Sequence, residues 1–436
     1  MSGVENVDAV VVGAGPGGCA AALGLARGGA QVLVLERYPD RRSRFAGEWL
    51  HPAGVAALAR LGIAVRPPHF LRHHGFVVHP GGGQPPIKLP YAWGEAATAP
   101  HQALVRPLQE ALNEQPGVRY TPGRRFCGLT AGGCLTDAGP VTARLVVGAD
   151  GRSSGVRRAL RQNSIPAVAL SHTAGMLLPD TPLPDEGFGH VFLGGPGPVL
   201  AYRLTKDLVR LTMDVPLSRP GPQRMRGYLE RSFTPHLPRE LAEALRSGLG
   251  DGGVQWAANS FRRRADFGHG RVALVGDAAG HGHPLAAQGL SCALLDAESL
   301  AAHVPGSVDR YHRERVAHSW AAERVAAALH RALTGPDQAT AVLRRSLFAL
   351  WRADPGERAR TMDLLGLLEG RRTVLGGSVA NIAVGALVDT LRDGQRDPIG
   401  SAMTIGGLVG WLGWLSGPRV GVPPRQHGRG VALLAP

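Results

Sequence analysis

The chain has 436 residues, a formal net charge of +14 and four cysteines. Such a length exceeds what one small core needs and points to two domains, or one large domain with an insertion. Cys19, Cys127, Cys134 and Cys292 show no metal-type spacing and are too few for a disulfide framework, so a reducing, cytoplasmic setting is expected. The basic excess is nearly all arginine, with Lys88 and Lys206 the only lysines. With abundant Ala, Gly, Pro and Leu, that pattern reads as a compositional habit of the source. The basic runs DRRSR (40–44) and FRRR (261–264) are short, scattered and not interleaved with aromatics, which argues against a nucleic-acid surface. The opening MSGVENVDAVVVGAG has no basic n-region before its apolar run, so no signal peptide is expected.

The first recognisable unit is VDAVVVGAGPGGCAAALGLARGGAQVLVLER. It predicts a strand over 7–12, a helix over about 17–28 and a second strand over 31–35. Gly13, Gly15 and Gly18 stand at G-x-G-x-x-G spacing. The first glycine suits a tight turn, the second a close backbone approach to a pyrophosphate, and the third helix-on-strand packing. Glu36, followed by Arg37, is placed to accept hydrogen bonds from ribose hydroxyls. The glycine pattern by itself does not decide between FAD and a nicotinamide.

Two later segments bear on that choice. ARLVVGADGRSSGVRRAL (143–160) is a strand followed by Asp150-Gly151 and a helix carrying Arg157; RVALVGDAAGHGHPLAAQGLSCALLDAESL (271–300) is a third strand followed by Gly276-Asp277. In this order and at these distances the three motifs resemble the FAD-dependent monooxygenases of the para-hydroxybenzoate hydroxylase type, over roughly residues 7–300. The resemblance implies FAD as cofactor, with Asp277 on the ribityl chain and Asp150 near the pyrophosphate. Asp150 also has a plain alternative as a turn or helix cap. Arg106, in HQALVRPLQEAL, matches an arginine that reaches FAD in that family; its alternative is an exposed helix arginine. The resemblance further implies that Pro284 and the small residues after it run along the isoalloxazine, with Ala287, Gln288, Gly289 and Leu290 contacting the cofactor. Backbone N–H groups at the start of the following helix would favour negative charge there. His281 and His283 form an H-x-H pair without a nearby carboxylate or cysteine set, and no metal is expected from it.

FAGEWLHPAGVAALARLGI (45–63) narrows the resemblance. Gly47, Glu48, Leu50, Pro52 and Gly54 match the GE-x-L-x-P-x-G stretch of squalene epoxidases and their bacterial relatives, and His283-Pro284-Leu285 matches their HPL. The sequence departs from them at 286–289, where AAQG replaces a glycine-rich TGGG; Gln288-Gly289 is instead similar to the aromatic hydroxylases. Glu48, His283 and Pro284 are the candidate catalytic residues, Glu48 being either a structural acid near the flavin or a residue shaping the oxygen adduct's surroundings.

The fold expected is α/β: a Rossmann-like FAD-binding domain (1–165, with a substrate-side excursion near 65–100, and 266–330), an inserted antiparallel β-sheet substrate domain (166–265) and an α-helical C-terminal region (331–436). The segments 373–388 and 398–417 carry no charge. They fit helices packed as a hydrophobic substrate mouth, shallow membrane contact with Trp411 and Trp414 at the interface, or a span. The activity implied is transfer of one oxygen atom from a flavin C(4a) hydroperoxide to a hydrophobic olefin in secondary metabolism. Molecular oxygen is the co-substrate, and NAD(P)H serves as a transient reductant or acts through a separate reductase, because no second complete G-x-G-x-x-G unit occurs. Three alternatives stay open: a phenol hydroxylase using a base such as His51, His190 or His283; a flavin reductase similar to geranylgeranyl reductases; and an FAD-binding partner without chemistry of its own.

Overall fold

The computed structural model describes residues 5–38, 45–160, 166–304, 306–394, 397–417 and 420. The basic run at 40–44 lies outside them.

The glycine-motif unit forms as its sequence requires. Glu5–Val12 is a strand whose C-terminal half is buried, and Pro16–Arg27 is a helix that begins with proline in its first turn and ends at Gly28-Gly29. Val32–Glu36 is buried along its whole length. These strands join a sheet in the order Gly268–His269, Val272–Leu274, Gly139–Gly148, Glu5–Val12, Val32–Glu36, Val118–Pro122; its five consecutive strands from Val272–Leu274 onward are parallel. Near-continuous apolar runs are what a sheet covered on both faces requires. One cover consists of the helices Pro16–Arg27 and Gly289–His303, which approach so closely that a Cβ on Gly24 would lie 2.7 Å from Ala301 Cβ.

A seven-stranded sheet stands over this layer, in the order Gln255–Phe261, Val168–Pro179, Leu208–Pro216, Val199–Thr205, Phe188–Phe192, Gly75–His79, Ile87–Pro90. It is antiparallel except where Phe188–Phe192 runs parallel to Gly75–His79. The excursion near 65–100 therefore supplies two strands of the same sheet. The region 166–265 also contains two helices that the strand reading did not anticipate, Pro222–Phe233 and Arg239–Gly250. Met225, Leu229 and Phe233, with Leu241, Leu245 and Leu249, recur at helical spacing and pack on the outer face of the sheet.

The described residues of the C-terminal region are mainly helical. Helices Arg372–Asp393 and Pro398–Ser416 pack through Ala386, Leu408 and Trp411 onto Ala339, Val342 and Leu343 of the helix Gln338–Ala353. Their other face is exposed, with Ile399 at 77% and Met403 at 75%. Trp411 is not an interfacial residue: its indole N–H donates to Thr340 Oγ1 at 2.8 Å, and Arg331 stacks over the rings of Trp411 and Trp414.

Candidate active site

A cleft of about 870 Å3 lies between the two sheets, and all three sequence motifs open onto it. Its first edge is the glycine turn. Gly13 adopts φ +102°, and a Cβ there would come 2.6 Å from Ala149 O; a Cβ on Gly18 would meet Gly13 O at 1.9 Å. Gly15 precedes the helix Pro16–Arg27 with an extended backbone and no side-chain cap, so the first-turn N–H groups face the cleft. Glu36 ties the turn to its strand: Oε2 accepts from Ala14 N at 2.9 Å and Oε1 from Tyr38 N at 3.1 Å. Arg37 lines the cleft beside it and lies over the Tyr38 ring.

Asp150 takes the capping place, with its second carboxylate oxygen left toward the cleft. Asp150 Oδ2 accepts from Gly155 N at 2.6 Å and caps the helix Gly155–Ala159, while Oδ1 is buried on the cleft side without a protein partner. A buried carboxylate oxygen with no donor is destabilised unless a ligand supplies one. Together with the glycine cradle, it shows that the residues present suit a large polar cofactor.

Gly276-Asp277 is held by residues that motif reading missed. Asp296, 0% exposed, accepts from Gly276 N at 2.8 Å, from Arg264 Nη2 at 2.5 Å and from Arg315 Nε at 2.8 Å. Arg264 Nη1 donates to Gly276 O and Gly280 O, and its backbone N–H donates to the buried Glu323, whose carboxyl burial pushes up. Arg157 bridges the second and third motifs, donating to Arg152 O and Ala278 O at 2.6 Å each. Burial raises the carboxyl of Asp277, while Arg152, Arg264 and Arg157 draw it back down.

The following loop is shaped by backbone. Pro284–Ala286 is a single 3-10 turn, Ala287 has a left-handed φ of +52°, and Gly289 begins the helix without a side-chain cap. Pro284, Leu285, Ala287, Gln288, Gly289 and Leu290 line the cleft; the Gln288 carboxamide also donates to Leu365 O at 3.0 Å, fixing the loop to the C-terminal helices.

Glu48 forms a buried bidentate pair with Arg210 (2.6 and 2.8 Å) and accepts from Tyr202 O–H at 3.1 Å. His51 is enclosed. Its Nε2–H donates to Ala286 O at 2.9 Å, its Nδ1 accepts from Tyr91 O–H at 2.7 Å, and burial lowers its pKa from 6.5 to about 4.

Arg106 is not brought to the cleft. It lies on the outer face of the helix His101–Glu114, its side chain 82% exposed and paired with Glu110, because Leu104, Val105, Leu108 and Leu112 take the inner face. Gln109 of the same helix reaches the glycine turn instead, donating to Ala14 O at 3.1 Å.

His283 lines the cleft within a buried network. Nδ1 accepts from Leu285 N at 3.1 Å, which leaves the proton on Nε2, directed at Ser171 Oγ and Asp214 Oδ1. Asp214 also accepts from Ser171 and Asn259; burial pushes its carboxyl up, but hydrogen bonds from His283 and His330 outweigh that and hold it below the usual carboxylate range. Asp214, His283 and His330 bring donor atoms within 4.8 Å of one another, yet the set does not suit a metal. His283 Nε2 carries a proton, and the two imidazoles stack face to face at 3.9 Å, so their lone pairs do not converge.

The two-sheet architecture over this cleft is one that flavoproteins share, and the family match makes this one a flavoprotein monooxygenase. The squalene epoxidase family model matches residues 142–399 and an FAD-binding domain model matches residues 8–57. The chain belongs to the squalene epoxidase family, and FAD is its cofactor. It is 26% identical over 404 residues to squalene monooxygenase of Mus musculus, covering 85% of this chain and 70% of that one. With squalene epoxidase erg1 of Aspergillus fumigatus it shares 27% over 418 residues, 87% of this chain and 84% of the relative. Solved structures with the same fold include PqsL, a probable FAD-dependent monooxygenase from Pseudomonas aeruginosa (TM-score 0.64, 22% identity, covering 76% and 97%). The flavin-dependent brominase Bmp2 is another (TM-score 0.70, 16% identity, covering 90% and 99%). At those identities the structural likeness shows the fold alone.

Proposed function

We propose that this flavin monooxygenase epoxidises a carbon–carbon double bond of an apolar prenyl, terpenoid or polyene substrate in secondary metabolism. Reduced FAD, when bound, supplies the activation of dioxygen. The overall reaction takes olefin, O2, NAD(P)H and a proton to epoxide, water and NAD(P)+, the nicotinamide binding transiently or acting through a separate reductase.

In this reading the turn carrying Gly13 and Gly15 and the uncapped helix start, packed closely because position 18 is Gly18, hold the pyrophosphate. Glu36 and Arg37 hold the adenosine end, Asp150 offers its unpaired oxygen, and Asp277 holds the ribityl chain. The loop Pro284–Leu290 lies beside the reacting ring, where small residues leave room and the uncapped N–H groups of the helix Gly289–His303 favour negative charge. Glu48 acts through its pair with Arg210, keeping a charge fixed and dry beside the cleft; His283 and Pro284 set the wall against which substrate packs. Phe45, Trp49, Leu200, Leu285, Ala322 and Ala326 exclude water from that space. The units fit the same reading: the described residues of 1–165 with 266–330 carry the cofactor, 166–265 covers the substrate, and the described helices of 331–436 close the far side.

One observation carries the choice of epoxidation over phenol hydroxylation. The histidines considered as bases do not offer one to the cleft: His51 has both ring nitrogens bonded internally, His190 is bonded to His79 and Asp185 O away from the cleft, and the two nitrogens of His283 serve Leu285 and Asp214. His281, whose Nδ1 is unbonded beside the cleft, is held at a pKa of about 3 by burial and the surrounding arginines, too weak a base for a phenol. Epoxidation needs no such base. The exposed apolar face of the two C-terminal helices, both long and apolar enough by length and composition to cross a membrane, supports peripheral contact with a lipid surface. Mass spectrometry of products formed under labelled oxygen from prenylated, polyene and phenolic compounds tests the assignment. An epoxide retaining one labelled atom is expected; a labelled phenolic hydroxyl would move it to the hydroxylases, and anaerobic saturation of a double bond to the reductases.

A further inference from the structure

Strand alternation gives the two faces of the seven-stranded sheet opposite characters. On Val168–Pro179, Leu208–Pro216 and Val199–Thr205, the residues Ala174, Met176, Leu211, Met213, Val215, Val199 and Ala201 point outward into the apolar layer under the helices 222–233 and 239–250. Their alternates point at the cleft. Register places Thr173 opposite Asp214 on one neighbour and opposite Ala257 on the other, with Ser171 opposite Asn259. The cleft-facing set at the centre is therefore Thr173, Thr212, Asp214 and Asn259, all on the cleft lining, flanked by Leu200 and Tyr202.

A roof over a pure hydrocarbon has no use for such residues, since valine and leucine would fill it without burying polar atoms. The polar atoms are also oriented. Thr173 Oγ1 donates to Asn259 Oδ1 at 2.9 Å, and Thr212 Oγ1 donates to Leu200 O at 3.3 Å. Each hydroxyl has thus used its hydrogen, and what its oxygen offers the cleft is a lone pair. Asp214 presents a carboxylate beside them, with His283 and His330 at 3.2 and 3.5 Å as its hydrogen-bonding neighbours. Such a surface accepts hydrogen bonds and donates few.

We propose that the substrate is an apolar olefin bearing a hydroxyl group, whose O–H is received by the roof formed by Thr173, Thr212 and Asp214. This rests on the epoxidase reading and names the substrate class within it. A site built to receive an O–H discriminates against the analogue that lacks it, because its acceptors are then buried without donors.

The test uses the full FAD-loaded chain and two probes with one carbon skeleton, farnesol and β-farnesene. Dissociation constants are read from the change each causes in the visible spectrum of the bound oxidised flavin, with no turnover required. Farnesol is expected to bind at least about tenfold more tightly, and Thr212→Val to bring the alcohol-to-hydrocarbon ratio toward one. Thr173→Val, which also removes the bond to Asn259, is the second variant should the first fail to retain FAD. Equal binding of the two probes, or a ratio that neither valine variant moves, would overturn the proposal. Labelled-oxygen product analysis on the same samples separates the two readings. Epoxide from both probes with equal affinities would leave the epoxidase reading standing without this one, and alcohol selectivity without oxygen transfer would do the reverse.

Discussion

On the floor of the cleft, recognition is made by backbone: Gly13 and Gly18, by having no side chains, let the turn and helix close tightly and set the uncapped start of the helix Pro16–Arg27 at the cleft, and the loop 284–290, of proline, alanine and glycine, does the same for the helix Gly289–His303. On the roof it is made by side chains held in register, with Arg210 and Asp214 on one strand and Asn259 on another meeting Glu48 and His283 from elsewhere in the chain. The floor therefore tolerates no added atom at Gly13 or Gly18, whereas the roof tolerates substitution so long as its buried charges remain matched.

That contrast orders the expected effects. Gly18→Val has the largest: its Cβ would press into Gly13 O, backbone against backbone, so loss of FAD and a destabilisation of roughly 3 kcal/mol or more are expected from thermal unfolding. On the roof, Arg210→Met leaves Glu48 buried and unpaired and costs about 3–5 kcal/mol in urea unfolding. The double variant Glu48→Leu/Arg210→Met recovers most of that loss, because two matched apolar groups replace two matched charges. If the double variant is no better than the single one, the roof is not the tolerant region described here.

A pH titration of stability sharpens the comparison where floor meets wall. The folded pKa of His51 is depressed to about 4 from 6.5, so the unfolded chain binds the proton first. Stability is retained above pH 6.5 and falls as pH drops from 6.5 to about 4, by roughly 3 kcal/mol for this residue. His73 and His79, also depressed to about 4 by burial, act in the same direction and window. His51→Gln is expected to reduce the slope between those pH values; an unchanged slope would remove His51 from the account. The smallest effect is at Arg106→Ala, where exposure predicts a change within about 0.5 kcal/mol and an unaltered affinity for FAD.

What could be read from the sequence follows the same division. The floor was legible because its geometry is local: three glycines, a strand, a helix and an acid within thirty residues determine where backbone N–H groups point. The roof was not, because Ser171, Asp214, Asn259 and His283 meet only through pairing register across more than a hundred residues. The alternation in LVRLTMDV marked a strand but not which of its faces would be covered. Other misses did have a signal. Leu104, Val105, Leu108 and Leu112 already place Arg106 on the outer side of its helix, and Met225, Leu229 and Phe233 spell a helix within the region read as sheet. Asp296, inside an Ala/Leu-rich helix, carried no cue that two arginines from distant segments would close on it.

The most direct measurement of the central claim is a fluorescence titration of FAD into the apoprotein and into Gly13→Val, Asp150→Ala and Asp277→Ala, one change in each motif, with circular dichroism to verify folding. One FAD per wild-type chain is expected, with a loss of at least about tenfold in affinity for each folded variant. Unchanged affinity in any folded variant would mean that its motif does not share the cleft's single cofactor.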